Sequence, residues 1–116
     1  MKHVALIGAS GFVGSAILEE LLNRGHHVTA IVRTPGKLTQ SHPNLKVEVM
    51  DVEDRNALVQ VCHGQDAVIS AYNPGWGNPD IYEDTLRVYP LILEAVKASG
   101  VKRFLVVVGA VSLFVK

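Results

Sequence analysis

Three glycines at a fixed interval are the residues of this chain best placed to do chemistry. Gly8-Ala9-Ser10-Gly11-Phe12-Val13-Gly14 directly follows the apolar run Val4-Ala5-Leu6-Ile7 and opens a helical pattern. In such a strand–turn–helix context Gly8 permits a sharp exit from the strand. Gly11 removes a side chain where a phosphate must approach the backbone, and Gly14 lets the helix lie close on the sheet. Free amides at the helix start and the helix dipole then attract an anion. Ser10 either donates to a phosphate oxygen or caps the helix. Further candidates stand just beyond later apolar runs: Arg33 and Lys37 after the second, Asp51 and Val52 after the third, Ala71 and Tyr72 after the fourth.

The elements that must position these residues alternate along the chain. Apolar runs at residues 4–7, 28–32, 47–50, 67–71 and 104–108 indicate five strands, three of them almost continuously apolar, as strands covered by helices on both faces are. Phe12, Ala16, Leu18, Leu21 and Leu22 form an apolar stripe on a first helix over about residues 11–24, and Gly25 is its left-handed stop. The segment Thr34 to Lys46 carries two prolines and a glycine and is expected to be mostly loop. Asp54 can cap a short helix ending at Cys62, and a longer helix ends at Ser99-Gly100, with Pro90 expected to kink it or to start a fresh first turn. Right-handed crossovers then give one domain over residues 1–116, a three-layer α/β fold whose parallel sheet has the order 3-2-1-4-5. The ligand crevice falls at the carboxyl ends of strands 1 and 4.

Composition narrows the ligand. The chain has 116 residues, 48% hydrophobic and 19% charged, with eleven basic against eleven acidic residues. That balance argues against a nucleic-acid or anionic-membrane partner and for a small molecule. Cys62, the only cysteine, fits a reducing compartment and reads as a buried helix residue rather than a reactive thiol. No secretion signal follows Met1-Lys2-His3, so a cytoplasmic location is expected. The longest apolar run, Phe104 to Val115, is 12 residues and reads as a strand, not a membrane span. His3, His26, His27, His42 and His63 are too scattered for a metal site and are expected at the surface.

The glycine spacing is GxxGxxG rather than the commoner GxGxxG. With Ala5-Leu6-Ile7-Gly8-Ala9-Ser10-Gly11-Phe12-Val13-Gly14, Ala30-Ile31-Val32-Arg33, Asp51-Val52 and Val101-Lys102-Arg103-Phe104, the chain resembles the atypical and extended branches of the short-chain dehydrogenase/reductase superfamily. Its likeness is greatest to small NAD(P)H-binding proteins of the flavin-reductase, redox-sensor and sugar-nucleotide-epimerase kinds. The resemblance implies a Rossmann fold holding a dinucleotide by its pyrophosphate. Arg33 stands where an NAD-preferring protein has an acidic residue, so NADP is expected before NAD. Lys37 either assists or is simply solvated. Asp51 looks like the family's acceptor for the adenine amino group, with an Asx turn as the alternative, and Ala71 and Tyr72 should line the crevice beside the ribose or nicotinamide half.

Reductases of this superfamily usually carry a serine after strand 5 and a tyrosine followed four positions later by lysine. Ser112 matches the serine, but Tyr72, Tyr82 and Tyr89 all precede strand 5 and none has lysine at the fourth position. Family members continue well past this length, and valines replace two glycines in the stretch Val106 to Ser112. The expectation is an NADP(H)-binding module without a complete catalytic site, truncated or redesigned. The alternatives are an NADPH-dependent oxidoreductase of the flavin-reductase-like or epimerase-like kind and an inactive folding scaffold. A shortened chain would leave the first-helix side of strands 4 and 5 bare, which predicts a homodimer through that face or the strand 5 edge.

Overall fold

The computed structural model describes residues 2–9, 12–33, 42–71 and 81–106. Eight elements follow in the order β1 (His3–Ile7), α1 (Phe12–Asn23), β2 (His27–Val32), β3 (Leu45–Val49), α2 (Arg55–Cys62), β4 (Ala67–Ser70), α3 (Ile81–Ser99) and β5 (Phe104–Val106). All strand pairs are parallel, and the order is β3-β2-β1-β4-β5, the Rossmann arrangement. β1 lies at the centre, with Leu6 beside Ala30 of β2 and Ile69 of β4.

Because side chains alternate along a strand, the sheet feeds two cores. On one side Leu6, Val28, Ala30 and Val32 pack with Leu18 and Leu22 of α1. On the other, Ala5, Ile7, Ile31 and Val68 meet Leu58 and Cys62 of α2 and Val88, Ile92 and Val96 of α3. Gly14, Leu18 and Leu22 recur every four residues and define the buried line of α1. Ala16, expected in the apolar stripe, is instead exposed, since two residues from that line is more than half a turn around the helix.

The helix ends obey local chemistry. Gly25, at φ 84°, closes α1 in a Schellman arrangement: its N–H donates to Leu22 O (3.0 Å) and that of His26 to Leu21 O (3.1 Å). Asp54 caps α2 by accepting from Ala57 N. Gly100, at φ 86°, follows the end of α3. α3 runs as one helix through Pro90, which lies on its exposed side. Among the described residues no helix is long and apolar enough to cross a membrane.

The histidines correct the sequence reading in part. His3 and His63 are exposed, but His26, His27 and His42 are half-buried. The β1–β2 register sets His3 opposite His27, so their rings stack with centroids 4.9 Å apart. His26 Nδ1 accepts from Lys2 N and His42 Nδ1 from Asn44 N. Among the described residues no three His, Cys, Asp or Glu side chains group as a metal site. On the α1 side of β5, Leu105 is 60% exposed, whereas Ile69 of β4 is half-buried against the α1 core.

Candidate functional site

The carboxyl ends of β2, β1 and β4 lie side by side at one edge of the sheet, with β1 in the middle. Gly8 N donates to Ile31 O of β2 (3.1 Å), while Ile7 O accepts from Ala71 N beyond β4 (2.8 Å). The chain therefore leaves the sheet still tied to both neighbouring strands. Gly8 makes that exit at φ 78°, a conformation glycine adopts without strain, and Ala9 is fully buried beneath it.

Gly14 holds α1 against this turn. A Cβ on Gly14 would lie 1.9 Å from Gly8 O and 2.9 Å from Gly8 C, so only glycine permits the approach. The contact sets the amino end of α1 against the turn that leaves β1. No acidic residue stands in the first turn to offset the positive end of the helix. Phe12 begins α1, and Val13, 37% exposed, stands on its open side. Ser10 and Gly11, expected to complete the turn, lie outside the described residues.

At the next strand end Arg33 is exposed, and among the described residues no ion pair engages it. Met50 N donates to Val32 O (2.9 Å), which keeps the end of β3 beside the end of β2. Asp51 is exposed and forms an Asx turn: Oδ1 accepts from Glu53 N (2.9 Å) and its carbonyl from Asp54 N (2.9 Å). Val52 is buried against the α2–α3 core. Ala71 is half-buried at the end of β4. Gly8, Val13, Gly14, Arg33, Asp51, Val52 and Ala71 thus all lie at or next to the carboxyl edge. Lys37, Tyr72 and Ser112 lie outside the described residues.

Two ion pairs that the sequence reading missed tie the β3–α2 corner to α3. Arg87 Nη1 meets Glu53 Oε1 at 2.6 Å, and Arg55 grips Glu94 with Nε and Nη2 at 2.7 and 3.0 Å. The Arg55 hydrogen bond holds the Glu94 carboxyl below its ordinary range. Partners 34 and 39 residues apart leave no local signal. Cys62 is fully buried, and desolvation pushes its thiol up to about 11, which removes the reactive reading.

A parallel sheet of this order, a glycine turn opening its first helix and a cation ending its second strand together define a dinucleotide-binding Rossmann domain. Residues 8–113 match the model of the NAD(P)H-binding family, and the chain belongs to that family. It is 35% identical over 112 residues to YwnB of Bacillus subtilis, an uncharacterised protein, covering 97% of this chain and 49% of that one. A candidate epimerase from Bacteroides thetaiotaomicron superposes with a TM-score of 0.80 at 51% identity, over 90% of this chain and 46% of that one. The Bordetella bronchiseptica enzyme WbmH, whose crystal structure is a complex with NAD+, gives a TM-score of 0.73 at 31% identity, over 90% and 38%. The chain spans half or less of the length of these relatives.

Proposed function

We propose that this chain holds NADP(H) across the carboxyl ends of its strands and that its residues bind and orient the cofactor rather than complete a reaction. The Gly8–Gly14 contact carries the reading, because it aims the amides of the α1 amino end where a pyrophosphate would be cradled. Ser10 and Gly11 would finish that cradle. Arg33 would take the 2′-phosphate, with Lys37 as a second cation. Oδ1 of Asp51 is committed to its turn, so Oδ2 is the acceptor for the adenine amino group, with Val52 fixing the backbone behind it. Ala71 and Tyr72 would flank the nicotinamide half.

Bound NADP(H) supplies or accepts a hydride. The chain's three tyrosines lack the lysine four positions on that would depress a proton donor's pKa, and Ser112 is its one candidate for contact with an acceptor. The identity to a candidate epimerase favours a second reading, in which NADPH-dependent oxidoreductase or epimerase chemistry takes place on this same cofactor.

Titration with NADPH and NADH, read by thermal stability and nicotinamide fluorescence in wild type and Arg33→Asp, tests the proposal. A charge-assisted contact to phosphate is worth about 1.5–3 kcal/mol, so the variant should lose roughly ten- to a hundredfold in NADPH affinity and little for NADH. Equal affinity of wild type for both dinucleotides would overturn the NADP assignment, and no response to either would overturn the cofactor. NADPH consumption with flavin or quinone acceptors would support the second reading.

A further inference from the structure

Among the described residues β3 ends the sheet on one side, and its five residues Leu45-Lys46-Val47-Glu48-Val49 are self-complementary about Val47. Its backbone polarity is fixed by two hydrogen bonds: Asn44 O accepts from Val28 N and Met50 N donates to Val32 O, both at 2.9 Å. Even-numbered residues therefore turn their amides and carbonyls toward β2. Leu45, Val47 and Val49 turn theirs outward. Leu45 N is already engaged with His42 O (3.0 Å), which leaves the Leu45 carbonyl and both groups of Val47 and Val49 facing outward without a partner among the described residues.

We propose that this edge pairs antiparallel with β3 of a second copy about a twofold axis through Val47, making one continuous sheet. In that register each Val47 exchanges N–H and C=O with the partner's Val47, and each Val49 N–H donates to the partner's Leu45 carbonyl. Val47 and Val49, 41% and 49% exposed in the single chain, close against each other and Leu45 on the α1 side. On the α2 side Lys46 faces the partner's Glu48, and Glu48 faces the partner's Lys46. The two side chains already meet within one chain at 3.1 Å, so the dimer sets four charges in alternation.

The register is selective. Moving the axis one residue either way would still pair outward backbone groups but would oppose Lys46 to Lys46 or Glu48 to Glu48, so the charges select the register. Room for the charged side chains exists, because an open polar groove of about 650 Å³, lined by Thr29, Lys46, Glu48 and Gln60, runs between β3 and α2. The contact differs from the β5 surface that the sequence alone suggested, and it does not depend on cofactor binding.

Sedimentation measurements at tens of micromolar test it. Wild type should be a dimer that weakens as salt rises. Val47→Pro removes an outward N–H and no bond to β2, so it should give a folded monomer, with circular dichroism as the folding control. Lys46→Glu and Glu48→Lys should each weaken self-association at least about tenfold, since each sets like charges opposite one another twice. An equimolar mixture of the two should restore the dimer, because each reversed charge then meets its opposite. A wild-type monomer, a dimer untouched by Val47→Pro, or no recovery on mixing would overturn the proposal. Loss of the dimer in Leu105→Arg alone would move the contact to β5.

Discussion

Replacing Gly14 with alanine adds one carbon where the structure has no space for it. The new Cβ would sit 1.9 Å from Gly8 O, and relief to a tolerable contact near 3.0 Å demands a displacement of about 1 Å between α1 and the turn. The obstacle is backbone, so no side chain can rotate aside. Overpacking of this kind costs about 1–3 kcal/mol, against which alanine's better helix propensity returns about 1 kcal/mol. The net loss of up to about 2 kcal/mol should lower the melting temperature by up to roughly 8 °C for a domain of this size. Cofactor affinity should suffer more, because the amides at the start of α1 move with the helix, and a misplacement of about 1 Å costs up to a hundredfold at a well-formed site. Gly25→Ala is the control: at φ 84° it strains the backbone by about 1–2 kcal/mol but meets nothing within 4 Å. Melting curves and NADPH titrations of both variants separate the effects. A Gly14→Ala protein that binds NADPH like wild type would refute the close approach as the basis of the cradle.

Cys62 should resist thiol reagents at pH 8 in the native protein and react only on unfolding, which a timed labelling experiment with and without denaturant checks. Its raised pKa leaves the folded state favoured below the thiol's ordinary value near 9, and that contribution should fade as pH climbs toward about 11. Asp66 shifts the other way: its carboxylate accepts from His3 N (2.8 Å), which lowers its pKa, so the stabilisation is present above the ordinary carboxylate range and is lost as pH falls through the depressed value. Asp66→Asn should accordingly flatten the acid side of a stability-against-pH curve. Arg33→Asp should leave the melting temperature of the cofactor-free protein unchanged while removing the preference for NADPH, since Arg33 is exposed and lies just beyond β2.

Features governed by neighbours in sequence were legible before the structure. Gly8 and Gly25 adopt the positive φ that their positions required, Asp54 caps the helix it precedes, and the apolar runs with right-handed crossovers yield the strand order. Asp51 shows where local reasoning divides: its Asx turn is plain, while Oδ2 has no hydrogen-bond partner among the described residues. What sequence did not show depends on distance along the chain. The pairs Glu53–Arg87 and Arg55–Glu94 exist because α2 and α3 pack side by side. The histidine stack exists because the β1–β2 register aligns His3 with His27. The symmetry of β3 gains meaning only once its outward backbone groups are known.

We propose that a dinucleotide lies across the carboxyl ends of β1 to β4. Two-dimensional amide NMR of labelled protein during NADPH titration tests it most directly. The amides of Gly8, Val13, Gly14, Arg33, Asp51, Val52 and Ala71 should shift in a saturable way, while those of His3, His27 and Asp66 at the opposite edge stay in place. Shifts confined to the amino ends of the strands, or none at saturating NADPH, would contradict the account.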